Sequence, residues 1–466
     1  MNSEAGGLKR SLGFFSVFIL GIGLLVPTSA FFVYGIAAGI TNGHVPAVYA
    51  FAAIAIFFTV LSYAKMSKVF PRAGSAYTYV QQTFHSNTGF LVGWTTLFDY
   101  LFLPFTYVLS VTIYLEPLFP QVPLWVWVVA IMLTMTLANV FNVKVAVSFT
   151  TLLIIVQLIT IAIFIALLIK YQLTQDPAQL FSFQAFYSST LTWPTLLSGA
   201  VILAYTFIGF DAVSTLAEET HNPTKTIPKV MISLAVFIGI LYVILTYFMQ
   251  SAFPNISVFA SPDGAAFEIA QQIGGILFSS LFLGVVIASC LVGGISAQMS
   301  ISRLLFAMGR DNVIPRKIFG YLHPKSGIPI YNILLIGALG MNAVFLTLDQ
   351  VASIISFGAY TAFTFVNLCV IKHYFIENKT RSWKGIIFHL VFPLIGILFI
   401  AAMWFNISRI ALILGVVWVS CGFVMLIFLT NGFKKPAPTL AMDKKEEELD
   451  SSSLSADTTQ PKMNLT

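Results

Sequence analysis

Twelve long apolar runs constrain this chain more than any other feature of its sequence. They fall at roughly 13–39, 46–64, 88–116, 124–141, 146–169, 193–217, 229–252, 273–302, 328–347, 351–371, 386–404 and 410–430. Each is long enough, with modest tilt, to cross a hydrocarbon core ~30 Å thick. Inside lipid no water meets the backbone, and only a helix satisfies its own N–H and C=O groups one segment at a time. The expected fold class is therefore an all-α integral membrane protein with twelve transmembrane helices. Composition agrees: 58% of the 466 residues are hydrophobic and 9% charged, against about a quarter charged in soluble domains.

The net charge of +6 would suit a nucleic-acid binder in a soluble protein. Here the positions of the charges argue for membrane orientation instead. With twelve spans, both termini share one side. Of the 24 Lys and Arg residues, only Lys170 and Arg409 then fall on the opposite side. Cytoplasmic segments carry such an excess, so both termini are expected in the cytoplasm of a multi-pass cell-membrane protein. Met1–Arg10 resembles the start of a signal peptide, but the run behind it passes residue 33 and further spans follow, which reads as a retained first helix. The expected organisation is a cytoplasmic N-terminus over 1–12, a twelve-helix domain over 13–430 and a disordered cytoplasmic tail over 431–466, where acidic and Ser/Thr-rich sequence has no core to bury. In the 65–87 segment, Tyr77, Tyr79 and Phe84 suggest a partly buried amphipathic element.

Several chemistries are excluded. Cys290, Cys369 and Cys421 lie in apolar runs without ligand-like spacing and read as small core residues. The six histidines stand mainly at loop or span-end positions, His44 and His221 as solvated or capping residues. No Walker-type glycine loop is present. No enzyme activity, cofactor, metal site or nucleic-acid partner is expected. Trp125, Trp127 and Trp193, at span ends, read as interface anchors.

What remains informative are residues that break the apolar pattern at depth. Asp99 lies ten residues beyond Gly89 in the third run, near mid-bilayer at ~1.5 Å per residue. Asp211 lies deep in the sixth. Ionisable groups at such depth line polar paths or pair with neighbouring helices. No Lys or Arg sits at comparable depth. Two acids without a base favour a cationic solute, a coupling cation or a proton relay. Gly21, Gly23 and Pro27 in the first run, and Gly209 in the sixth, suggest interrupted helices, which in matching places of two halves point to a midplane site. The same glycines also suit close helix packing. Tyr100, Tyr107, Tyr205 and Phe207 share helices with the acids, and aromatic faces attract alkylammonium groups, although ordinary packing uses the same residues.

Three segments resemble a known family. They are Phe70-Pro71-Arg72-Ala73-Gly74-Ser75-Ala76-Tyr77-Thr78-Tyr79; Phe207-Ile208-Gly209-Phe210-Asp211 followed by Glu218-Glu219-Thr220, Asn222-Pro223 and Ile227-Pro228; and Ser302–Asp311. Together they resemble the amino acid–polyamine–organocation superfamily over about residues 10–430. Gly43-His44-Val45-Pro46-Ala47, Gly93-Trp94 with Asp99–Pro104, and Trp125–Val129 are similar to its bacterial putrescine importers. The resemblance implies a five-plus-five inverted repeat with two extra C-terminal helices. It also implies ion-coupled import, by proton or sodium ion, through a site between spans one, three, six and eight. Tyr100 and the Glu218–Glu219 pair match positions tied to polyamine handling there. Asp99, Tyr100, Asp211, Phe207, Gly21, Gly23, Tyr205 and Glu219 are the expected solute-binding residues, for a polyamine such as putrescine or, alternatively, an amino acid. Two departures stand out: Phe32 occupies a place where the putrescine group carries an acid, and the fifth span carries Gln157 where some proton-coupled relatives carry lysine.

Overall fold

A computed structural model describes residues 12–71, 74–141, 147–255, 259, 262, 264–310, 313–324 and 326–437. Among these the chain is helical, apart from one isolated bridge between Leu12 and Thr220. The elements run α1 (Phe14–Leu25), α2 (Ser29–Ile40), α3 (Val45–Val69), α4 (Ser75–Thr83), α5 (Ser86–Leu118), α6 (Leu124–Val140), α7 (Val147–Gln175) and α8 (Trp193–Ala204). A short turn over Tyr205–Phe207 and a tight helical segment over Asp211–Glu219 continue α8. Then follow α9 (Pro223–Ala252), α10 (Ala265–Arg310), α11 (Arg316–Phe319), α12 (Ile330–Gly340), α13 (Leu348–Val370), α14 (Trp383–Ile386), α15 (Phe392–Trp404) and α16 (Arg409–Leu429).

Among the described residues nine helical stretches are long and apolar enough to cross a membrane, ten if α1 and α2, bent by 42°, count as one span. Leu124–Val140 and Ile330–Phe345 are apolar but shorter. Burial ranks the helices. Of the apolar window in Leu348–Glu377, 72% is buried; in Arg409–Leu429 it is 17%. In lipid an apolar side chain need not be buried, so α16 and α15 form the rim while α3, α5, α8 and α13 form the centre.

Polar side chains knit the central helices. Asn367 on α13 donates to Thr59 (3.0 Å) and accepts from Ser62 (2.6 Å), both on α3. Gln298 on α10 bridges Asn139 and Thr136 on α6 and the carbonyl of Ile333 on α12. On the rim, Trp94 of α5 and Trp418 of α16 each donate their indole N–H to the other's carbonyl, at 2.9 and 2.8 Å, with rings stacked 4.8 Å apart.

Details at the ends refine the sequence reading. The 65–87 segment does contain a half-buried helix, α4, which hides Ala76, Tyr79 and Val80. His44 is not solvated, being 3% exposed, but it does stand at the N-cap of α3, with its ring Nδ1 2.9 Å from the Thr41 carbonyl. Trp125 and Trp193 are exposed, but Trp127 packs against Phe119 instead. Cys421 is exposed, unlike Cys290 and Cys369. Residues 431–436, expected to begin the tail, are exposed, while Ala437 is buried and its N–H donates to Asn87 of α5 at 3.0 Å. The tail beyond 437, the N-terminus before Leu12 and Arg72 lie outside the described residues.

Candidate solute-binding site

Two helix breaks meet at the centre. Pro27 has no N–H for the carbonyl of Gly23, and Val26 turns left-handed (φ 46°, ψ 84°), so α1 ends there. No described donor reaches the carbonyls of Leu24 and Leu25. In the second break Ile208 is extended and Gly209 takes φ +123°. A Cβ on Gly209 would stand 2.9 Å from the Leu24 oxygen, so only glycine lets the two breaks touch backbone to backbone.

Between the breaks lies a cavity of about 30 Å³, room for a water or two. Leu24, Leu25, Val26, Ser29 and Phe32 line it from the first break; Leu103, Thr106 and Tyr107 from α5; Tyr205, Thr206 and Ile208 from the second. None of these side chains is charged. We call basal the face where α5 begins and α3 ends, and apical the opposite face. On the apical side, Phe31 meets Phe164 and Phe282, each at 4.9 Å between centroids. On the basal side, Tyr63 meets Phe210 at 5.3 Å and Phe363 at 5.8 Å. Aromatic packing thus lies on both the apical and the basal side of the cavity.

The two acids lie below this cavity rather than on its wall. Asp99 is one helical turn basal of Leu103, ~6 Å along α5. It is 4% exposed, and its Oδ1 has no described hydrogen-bond partner. Gly358 of α13 makes room for it, since a Cβ there would approach the Asp99 Cβ to 2.7 Å. Asp211, three residues past the cavity-lining Ile208, accepts from the Gly209 N–H at 3.3 Å. Asp99, Asp211, Tyr63 and Tyr100 lie within electrostatic range of one another. The hydroxyl of Tyr63 also lacks a described partner. Among the described residues no ion pair reaches either carboxylate.

Two hydroxyls on the Asp99 face of α5 stand at the cavity and one turn apical of it. Thr95, Thr96 and Thr112 return their hydroxyls to backbone carbonyls three or four residues earlier. Thr106 and Ser110, buried on the face that carries Asp99, do not. An unmet buried hydroxyl costs about 1–3 kcal/mol, so such a row marks where water or a polar solute is met.

The remaining expected residues separate into wall, support and surface. Tyr205 lines the cavity. Phe207 is buried against Tyr49 (6.3 Å) and Tyr242 (5.7 Å), supporting the break from behind. Gly21 and Gly23 face neighbouring helices: added Cβ atoms would meet Leu234 at 2.3 Å and Ile154 at 2.9 Å. Tyr100 is half-buried and packs toward the cluster around Leu97 and Ile301. Glu219 ends its segment eight residues beyond Asp211, ~16 Å away at a tight-helix rise, and its carbonyl accepts from the Leu12 N–H at 2.9 Å. Phe32, notable in sequence as a missing acid, is itself a wall residue. Gln157 reaches the first break, accepting from the Thr28 hydroxyl at 3.4 Å. Sequence reasoning did not single out Thr106, Leu103 or Ser29. Helical spacing from Asp99 was the available signal for the first two.

These features meet a model of known proteins over nearly the whole chain. The amino acid permease family model matches residues 16–446. The chain belongs to that family. It is a permease, a multi-pass membrane transporter rather than an enzyme. It is 37% identical over 446 residues to the low-affinity putrescine importer PlaP of Escherichia coli, covering 94% of this chain and 97% of that one. The branched-chain amino acid permease BcaP of Bacillus subtilis is 25% identical, over 92% of this chain and 94% of its own length. In fold it is similar to the crystal structure of MhsT in complex with L-phenylalanine, with TM-score 0.60 at 15% identity, covering 86% of this chain and all of that one.

Proposed function

We propose that this permease imports a small organic cation, putrescine or a related polyamine, driven by a proton or sodium-ion gradient. It would do so through twelve spans arranged as a five-plus-five inverted repeat with two added helices, both termini cytoplasmic. The observation that carries the reading is the pair Asp99 and Asp211, buried without a base beneath an uncharged aromatic cavity. Likeness to a putrescine importer supports the same solute.

A diamine suits the chemistry of this layout once the cavity widens beyond its water-sized volume. One ammonium meets the open carbonyls of Leu24 and Leu25, with Phe32, Tyr107 and Tyr205 around the methylenes. The other points basally past Leu103 toward Asp99. Anionic lining on one side of a low-dielectric path lowers the cost of moving a cation along it. Asp211, on the second break, moves with that break and so couples the solute's passage to opening of the basal side.

Amino acid transport is the second reading. The lack of an acid in the cavity, where Phe32 stands, favours it, and BcaP is an example of such a relative. Uptake of radiolabelled putrescine into proteoliposomes, with an amino acid panel as competitors, separates the two. Saturable putrescine uptake that amino acids leave unaffected is expected. Amino acid uptake with which putrescine does not compete would sink the polyamine reading. Imposed pH and sodium gradients, applied separately, identify the driving ion.

A further inference from the structure

A second concavity lies on the rim, away from the solute path. It is an open groove of about 660 Å³ between α16 and the segment Val313–Pro315, a ligand's volume rather than a water's. Ile314, Val417, Val424 and Phe428 give it apolar walls. Ser420 adds no polarity, because its hydroxyl is returned to the Val416 carbonyl at 2.8 Å. The floor is rigid: Val313 and Leu426 are buried in one cluster with Phe90 and Leu97 of α5. The Trp94–Trp418 clasp fixes α16 against α5 beside it.

Length and charge identify the occupant. Along α16 the groove runs from Val416 to Leu429, ~20 Å of helix, close to the depth of one leaflet of a ~30 Å core plus its interface. At its basal end Pro315 is followed at once by exposed Arg316 and Lys317, and Leu429 is followed, after a turn, by exposed Lys434 and Lys435. The described residues 313–324 and 430–437 contain no acid. An apolar slot one leaflet deep under a collar of four cations is complementary to a lipid with an anionic headgroup. A second protein copy would have to bring matching acids to that collar.

We propose that this groove binds an anionic phospholipid of the basal leaflet, an acyl chain lying along α16 and the phosphate held among Arg316, Lys317, Lys434 and Lys435. The site is independent of which solute the permease carries.

Cys421 reports on it, being the exposed cysteine in the groove wall while Cys290 and Cys369 are buried. The full chain is placed in nanodiscs of phosphatidylcholine alone, or with phosphatidylglycerol of the same acyl chains. Maleimide labelling of Cys421 and lipid retention by native mass spectrometry are then read. Phosphatidylglycerol should slow labelling several-fold and be retained preferentially. The combined R316Q/K317Q/K434Q/K435Q variant should abolish that preference, and Val417→Trp, which fills the groove, should abolish retention of either lipid. Equal labelling and retention for both lipids in the unaltered protein would overturn the proposal. So would ready Cys421–Cys421 cross-linking with a dimer mass, which would make the groove a subunit interface.

Discussion

The sharpest residue-scale question is whether Asp99 acts by its charge or by filling space. Asp99→Asn keeps the volume and removes the charge, so diamine uptake should be abolished while amino acid transport, if present, is only tuned. Gly358→Ala asks the converse. Its new methyl would stand 2.7 Å from the Asp99 Cβ and 2.9 Å from the Thr95 carbonyl. Overpacking of this kind costs about 1–3 kcal/mol of stability. Because the displaced side chain is the proposed anchor, uptake per folded molecule should also fall, by roughly tenfold for ~1.4 kcal/mol of lost interaction. Gly422→Ala is the matched control: it crowds Trp94 at 2.3 Å on the rim, and should lower the unfolding temperature with uptake per folded molecule unchanged. If both alanine variants lose uptake equally, Asp99's position is not what matters.

At the scale of elements, the two breaks depend on one glycine contact and the rim on one tryptophan pair. Gly209→Ala puts a side chain at φ +123° and 2.9 Å from the Leu24 oxygen. Strain of that kind costs of order 1–3 kcal/mol. The variant should fold with lowered thermal stability and lose uptake outright, because the breaks separate. Uptake near the unaltered level would show that the breaks need not touch. Trp418→Phe removes one donor of the clasp, a net loss of about 1 kcal/mol, read as a small drop in unfolding temperature with uptake retained.

These elements also mark how far the sequence was legible. The breaks were readable because Pro27 and Gly209 act locally, through a missing N–H and a permitted φ. The acids were readable because charge at depth is rare. The level of the acids relative to the cavity was not, since it depends on how α5 slides against both breaks. Gly21 and Gly23 stand beside the break yet turn toward Leu234 and Ile154, a choice fixed by helix rotation that the sequence pattern leaves open. Phe32 was noticed for the acid it replaces, and only the packing made it a wall residue.

For the whole molecule, the charges predict the orientation proposed above. A span enters with its flanking Lys and Arg retained on the cytoplasmic side. Only Lys170 and Arg409 contradict a cytoplasmic basal face. Lys170 lies in the apical part of α7, five residues before its end, and Arg409 is the first residue of α16, so neither lies mid-span. Reporter fusions after Ala437 and within the Pro177–Trp193 connection test this directly. The first should be active only in the cytoplasm and the second only outside. A reversed pair would invert the direction of every step above: the acids would lie on the entry side, and the permease would bind cations from outside at Asp99 before the central cavity. Both fusions on one side would remove an odd number of spans between them. The short helix Ile330–Phe345, which lies between the two fusion points, would then be the first to question.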